Sequence, residues 1–76
     1  MITPAQCLEA RRLLGWTRER LATHCDLYHT SLLRFEMGTW FPKSEGLAAI
    51  QRALEDAGVE FTNGGEPGVR LRSNAE

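Results

Sequence analysis

Helix-stopping residues divide this chain of 76 residues into short segments, and this division limits the folds that it can adopt. Each stop follows a run in which apolar residues recur with the 3.6-residue period of an α-helix. Glycine, and less often aspartate, adopts the left-handed conformation with which many helices end. The stops are Gly15, Asp26, Gly38 and Gly58. The pattern predicts four short helices.

Helix-starting residues support the same division. Thr3 and Pro4 are typical of a hydroxyl N-cap followed by proline at the first helical position. Thr17 is the expected cap of the second helix and Ser44 that of the fourth, while the third is expected over about residues 29–37. The residues expected to face the core are Cys7, Ala10, Leu14, Leu21, Ala22, Cys25, Leu32, Phe35, Leu47, Ile50 and Leu54.

The apolar period changes from 3.6 to 2 after Gly58. Residues 59–62 and 69–72 alternate apolar with polar side chains, and residues 63–68 between them are rich in turn formers. This pattern is typical of a β-hairpin. We therefore expect one domain over residues 1–58, a hairpin over residues 59–72 and a frayed tail over residues 73–76.

One face of the predicted hairpin is apolar and needs a cover. It consists of Val59, Phe61, Val69 and Leu71. The cover is either the first and fourth helices of the same chain or the hairpin of a second subunit. A lone two-stranded hairpin is marginally stable in water, so we favour the second subunit. These four residues are then the expected dimerisation contacts of a homodimer.

Charge is distributed unevenly although the net charge is only −1. Residues 1–35 hold five arginines against three acidic residues, whereas residues 36–76 hold four basic against seven acidic residues. The excess positive charge therefore lies in the half that contains the second and third predicted helices. A local excess of this kind favours a nucleic-acid partner for that half.

Other functional classes lack their usual sequence signals. Cys7 and Cys25 are expected to be reduced core residues, and His24 and His29 lie on different predicted helices, so no metal site is expected. There is no Gly-rich phosphate loop or Cys–His pair with an orienting third group, and a chain this short cannot enclose a substrate pocket. We expect no catalytic activity, cofactor or small-molecule ligand. The sequence has no signal peptide or membrane-spanning run, so a cytoplasmic location is expected.

Two stretches resemble the helix-turn-helix of lambda-repressor-like (XRE-type) transcriptional regulators. They are residues 14–22, LGWTRERLA, and residues 34–42, RFEMGTWFP. The apolar pattern of residues 47–54 matches the family's fourth helix, so the resemblance covers about residues 5–57. Arg18 replaces the usual glutamine, Asp26 a common glycine, and Tyr28 the usual small cap of the third helix. A hairpin stands in place of the family's fifth helix.

The resemblance implies a mainly α fold, a compact four-helix lambda-repressor-like helix-turn-helix domain with a C-terminal β-hairpin. It also implies sequence-specific binding of double-stranded DNA at a palindromic operator by a regulator of transcription, expected to be a repressor. The third helix would enter the major groove while the second crosses the backbone. The expected base contacts are His29, Thr30, Ser31 and Arg34. The expected backbone contacts are Thr17, Arg18, Tyr28, Thr39 and Lys43. The alternative is a protein-interaction module, such as an anti-activator or antitoxin, which the acidic overall balance supports.

Overall fold

A computed structural model describes residues 2–62 and 68–72 of the chain. The helices are α1 (Pro4–Leu14), α2 (Arg18–Cys25), α3 (His29–Glu36) and α4 (Ser44–Asp56), and the strands are β1 (Val59–Thr62) and β2 (Gly68–Leu71). The prediction of four helices followed by an antiparallel hairpin is confirmed. Most of the expected turn, residues 63–67, and the expected tail, residues 73–76, lie outside the described residues. Helices α1 to α4 are all too short or too polar to cross a membrane.

Local capping explains where the first two helices begin and end. The Thr3 hydroxyl accepts a hydrogen bond from the backbone N–H of Gln6 at 3.1 Å, and the Gln6 side chain accepts one from the Thr3 N–H at 3.0 Å. This reciprocal pair is a capping box. The Thr17 hydroxyl likewise accepts from the Arg20 N–H. Gly15 and Asp26 end α1 and α2 with φ of 70° and 59°, so their predicted left-handed conformations are confirmed.

The boundaries of three predicted elements differ from the structure. Helix α3 ends at Glu36 rather than Met37, and β2 spans Gly68–Leu71, one residue earlier at both ends than the expected 69–72. Ser44 is not the cap of α4, because Lys43 occupies the extended cap position and Ser44 is the first helical residue. The buried Pro42 packs against the first turn of this helix, where a Cβ built on Gly46 would be only 2.8 Å from the Pro42 Cβ.

The core draws side chains from all four helices, from Ile2 ahead of α1 and from Val59 of β1. It contains Ile2, Cys7, Ala10, Leu21, Ala22, Cys25, Leu32, Phe35, Ile50, Leu54 and Val59. Most residues with the predicted helical spacing are among them, while Leu14 and Leu47 are only partly buried at its edge. The burial of Leu32 and Phe35 determines which side of α3 faces inward.

The hairpin packs on helices of its own chain. Strand β1 pairs with β2 in a register that places Val59 opposite Leu71 and Phe61 opposite Val69. Val59 is fully buried, and Phe61 and Val69 pack against the core. These three residues are thus covered by their own chain, which is the alternative to cover by the hairpin of a second subunit. Leu71 is 49% exposed. Homodimerisation itself stays a prediction.

Candidate nucleic-acid interface

The three residues between α2 and α3 determine how α3 is presented. Asp26 turns the chain with a positive φ, and the Leu27 N–H donates to the Ala22 carbonyl at 3.2 Å. The Leu27 side chain packs against the core. Tyr28 then occupies the N-cap of α3 without a side-chain capping hydrogen bond, as its lack of a short polar side chain predicts. The side of α3 opposite Leu32 and Phe35 therefore faces solvent.

The structure places three of the four expected base-contacting residues on exposed parts of α3. Thr30 and Arg34 are exposed, and so is His29, whose side chain is 55% exposed. Ser31 is half-buried instead. It lies four residues before Phe35, and residues at this spacing share one side of a helix. Ser31 is thus at the flank of α3 rather than on the side presented by Thr30.

The beginning of α2 lies beside α3 along the length of that helix. Arg18 Nη1 is 3.7 Å from Glu36 Oε1, at the last residue of α3, and Glu19 Oε2 is 3.8 Å from His29 Nδ1, at its first. The expected backbone-contacting residues Thr17 and Arg18 are thereby brought next to the expected base-contacting helix. The Thr17 hydroxyl oxygen accepts a hydrogen bond from the backbone N–H of Arg20, so the hydroxyl proton can still be donated to an anion.

The remaining expected backbone contacts differ in how available they are. Tyr28 is 80% exposed, so its ring does not pack over the turn. Lys43 is exposed at the start of α4. The Thr39 hydroxyl donates its proton to the Arg34 carbonyl, near the C-terminal end of α3, at 3.2 Å. A phosphate contact by Thr39 would require this hydrogen bond to be given up.

The buried carboxylate of Glu36, which was not among the expected site residues, connects α3 to the core beneath this surface. Arg11 donates to Glu36 through Nε at 2.7 Å and Nη2 at 2.8 Å, and the Cys7 thiol donates to the same carboxylate at 3.3 Å. Arg11 Nη1 also donates to the Trp16 carbonyl at 2.9 Å. Since the Glu36 side chain is only 5% exposed, the group fastens α1, the Trp16 turn and the end of α3 together.

The Glu36 carboxylate affects the pKa values of Arg11 and of the Cys7 thiol. The hydrogen bond with Glu36 raises the pKa of Arg11. Burial, and next the negative charge of Glu36, raises the pKa of the Cys7 thiol well above its usual range. The group is therefore a charged pair with a neutral thiol beside it. Glu36 uses one oxygen to hold Arg11 and also to approach Arg18, so it links the core of the domain to the start of α2.

Two exposed apolar side chains, one on α3 and one directly after it, were not among the contacts expected from the sequence. Leu33 is 38% exposed and Met37, directly after the helix, is 65% exposed. Both follow Thr30 at the i+3 and i+7 spacings that keep residues on one side of a helix. Helical spacing alone could have identified them, because that side is opposite the buried Leu32 and Phe35. We call Thr30, Leu33, Arg34 and Met37 the outward face of α3.

Aromatic stacking covers the loop before α2. The Trp16 ring stacks on His24 with 4.6 Å between ring centroids, and the Arg20 guanidinium lies 5.1 Å from the Trp16 centroid. Trp16 also packs against the core. The guanidinium of Arg20, in the first turn of α2, is thereby held over the Trp16 ring.

Over residues 2–62 and 68–72, no group of three or more His, Cys, Asp or Glu side chains could hold a metal ion. Among known proteins, no family model matches this chain and no curated protein is significantly similar to it. The geometry of α2 and α3 is therefore the observation on which a functional assignment depends.

Proposed function

We propose that this protein binds double-stranded DNA as a helix-turn-helix transcriptional regulator, with α3 in the major groove and α2 crossing the backbone. In such proteins the N-terminal residues of the motif's second helix, which is α3 in this chain, contact base edges. Two helices of eight residues each, joined by three residues, have the size of this motif. We expect repression, because a protein that occupies an operator excludes other DNA-binding proteins from it.

The observation that carries the proposal is the exposure of His29, Thr30 and Arg34 beside the start of α2. Arginine is the commonest specific partner of guanine, and threonine hydroxyls hydrogen-bond to base edges. Arg18 lies at the start of α2, 3.7 Å from Glu36 at the end of α3, and backbone N–H groups at a helix start favour a phosphate. Base-recognising and phosphate-binding side chains therefore occur together on one surface.

Substitution of the two arginines tests the assignment. Duplexes selected from a random library would be measured by gel shift over a range of salt concentrations. Arg34→Ala is expected to cost about 1–3 kcal/mol of binding free energy and to relax selectivity at one base per half-site. Arg18→Ala is expected to weaken binding to all sequences alike and to reduce the salt slope by about one unit per half-site.

Arg52→Ala is the matched control, because Arg52 is an exposed arginine on α4 and is none of the expected DNA contacts. It should leave affinity and selectivity unchanged. Equal, sequence-independent losses for Arg34→Ala and Arg18→Ala would place Arg34 on the backbone and contradict its role in base recognition.

A protein partner is the second candidate function. The exposed apolar residues Met37, Trp40 and Phe41 near the end of α3 favour it, because exposed aromatic and Met side chains are enriched at protein interfaces. A gel shift with random duplex DNA at low salt separates the two functions. Absence of any shift under those conditions would contradict DNA binding and favour the protein partner.

Two-fold dimerisation is the expected route to useful affinity. A single small domain with a net charge of −1 has few phosphate contacts to offer. A dimer would place two copies of α3 about 34 Å apart and would recognise a palindromic operator.

A further inference from the structure

The outward face of α3 mixes polar with apolar side chains in a regular order. Thr30, Leu33, Arg34 and Met37 follow one another at i, i+3, i+4 and i+7, and the opposite side holds the fully buried Leu32 and Phe35. Leu33 and Met37 are thus exposed by the orientation of the helix and not by a disordered end. An exposed leucine on the helix that is proposed to enter the groove would contact an apolar group of the DNA there.

We propose that Leu33, with Met37 beside it, recognises thymine through contact with the C5-methyl group in the major groove. This inference rests on the proposed DNA binding and names the bases that the site prefers. The thymine methyl is the apolar group that base pairs present in the major groove, whereas the other groups on those edges are hydrogen-bond donors and acceptors. Leu33 and Met37 contribute no hydrogen bonds, so the methyl is the base feature that they can distinguish.

The position of Leu33 next to Arg34 restricts where this thymine lies. Consecutive Cα atoms are about 3.8 Å apart, close to the step of about 3.4 Å between base pairs along one DNA strand. If Arg34 binds a guanine, the thymine that contacts Leu33 lies within one or two base pairs of it. The selected operator should therefore hold a guanine and a thymine at this spacing in each half-site.

The composition of the outward face favours DNA over a protein at this position. The cores of protein–protein interfaces are depleted of charged residues, but Arg34 borders the apolar pair on this face, since it follows Leu33 directly and precedes Met37 by three residues. A face that combines an arginine, a threonine and a leucine matches base edges, which present polar groups and methyls together. The same surface continues to His29 and to the start of α2, which the proposed function already uses.

Replacement of thymine by deoxyuridine tests the proposal, because deoxyuridine lacks the methyl and keeps every hydrogen-bonding group. A duplex selected by the wild-type protein would be resynthesised with one thymine at a time replaced. Affinity is expected to fall about four-fold at one or two positions per half-site, which corresponds to the burial of one methyl-sized group. This scan uses the wild-type protein, so a folding defect of a variant cannot affect it.

Leu33→Ala then assigns the contact. It should bind the thymine and deoxyuridine duplexes equally at the position nearest the guanine, and Met37→Ala should do so at a neighbouring position. Leu13→Ala removes a half-buried leucine of α1 that lies outside the core cluster and is none of the expected DNA or dimer contacts, so it should keep the full preference.

Three results would overturn the proposal. They are equal binding of all deoxyuridine duplexes by the wild type, an unchanged thymine preference in both α3 variants, and a uniform loss of affinity for every duplex with Leu33→Ala. In each of these cases DNA binding itself still stands. If no duplex is enriched from the library, it is the proposed function that fails.

Discussion

Glu36 is the residue whose surroundings most affect the proposed surface. Its carboxylate holds both Nε and Nη2 of Arg11, accepts from Cys7 and lies within 3.7 Å of Arg18. Buried carboxylates remain charged where such paired and hydrogen-bonded partners compensate for the loss of water. Glu36 thus lies between the core and the side of α2 that is proposed to bind phosphate.

Glu36→Gln is expected to destabilise the protein by about 3–5 kcal/mol, because it leaves the buried Arg11 guanidinium without its counter-charge. Urea unfolding followed by far-UV circular dichroism measures this loss. Glu9→Gln removes an exposed carboxylate from α1 and should change stability by less than about 0.5 kcal/mol. A loss of similar size for both variants would show that water enters and compensates Arg11.

The two buried cysteines predict a loss of stability in alkali. Burial is the main cause that raises the pKa values of Cys7 and Cys25 in the folded protein. In the unfolded chain a thiol ionises with a pKa of about 8.5. The stabilisation is therefore fully present below that pH and is lost as the pH rises above it, since only the unfolded chain gains from ionisation.

Each neutral thiol should lower the free energy of unfolding by up to about 1.4 kcal/mol per pH unit in this range. Denaturant titrations at increasing pH under reducing conditions measure the slope. Cys7→Ala should have a shallower slope than the wild type, whatever its stability at neutral pH. Identical slopes would contradict a buried, neutral Cys7 thiol.

At the scale of elements, the turn between α2 and α3 determines how the candidate DNA-binding helix is presented. Its sharp change of direction depends on Asp26 with φ of 59°. Left-handed backbone costs most residues about 1–2 kcal/mol, whereas glycine adopts it readily. The turn therefore carries a local cost that a substitution can relieve.

Asp26→Gly is expected to be neutral or to stabilise the protein by up to about 1 kcal/mol, because relief of the left-handed strain offsets the greater freedom of the unfolded chain. Asp26→Ala loses the same carboxylate but keeps the Cβ, so it should be less stable than Asp26→Gly. Thermal unfolding of both variants separates backbone from side-chain effects. A clear loss of stability for Asp26→Gly would instead indicate that the carboxylate caps α3.

At the scale of the whole molecule, the hairpin completes the core of its own chain. Val59 is fully buried, the Gln6 side chain donates to the Gly68 carbonyl, and Arg72 donates to the Glu55 carbonyl. Removal of residues 59–76 would therefore open the core as well as any dimer interface. A test of dimerisation needs a residue on the outer side of the hairpin, and Leu71 is exposed there.

If the hairpin dimerises the protein, wild-type chains at tens of micromolar should sediment as dimers and Leu71→Glu as monomers. The variant should keep the wild-type circular dichroism spectrum, because Leu71 lies outside the core, and should bind the selected operator far more weakly. Ala48→Glu, an exposed position on α4, should remain dimeric. A monomeric wild type would contradict the prediction and leave the hairpin as a cover for its own core.

The amino-acid sequence by itself determined the features that depend on chain neighbours. Helix caps and helix stops act within four residues of chain, so the sequence alone can predict them. The caps at Thr3 and Thr17 and the stops at Gly15 and Asp26 are confirmed. The same holds for the alternation that predicts the hairpin and for the exposed sides of His29, Thr30 and Arg34. Each of these depends on a local period or a local hydrogen bond.

Only the tertiary structure decided which distant residues meet. Glu36 contacts Arg11 and Cys7 across 25 and 29 residues of chain, and no local signal identifies such partners. Val59, Phe61 and Val69 could have faced either their own helices or a second subunit, because an apolar face specifies that it is covered but not by what. Lys43 rather than Ser44 occupies the cap position of α4. Ser31 is half-buried, because the burial of a side chain at the flank of a helix is decided only when whole helices pack together.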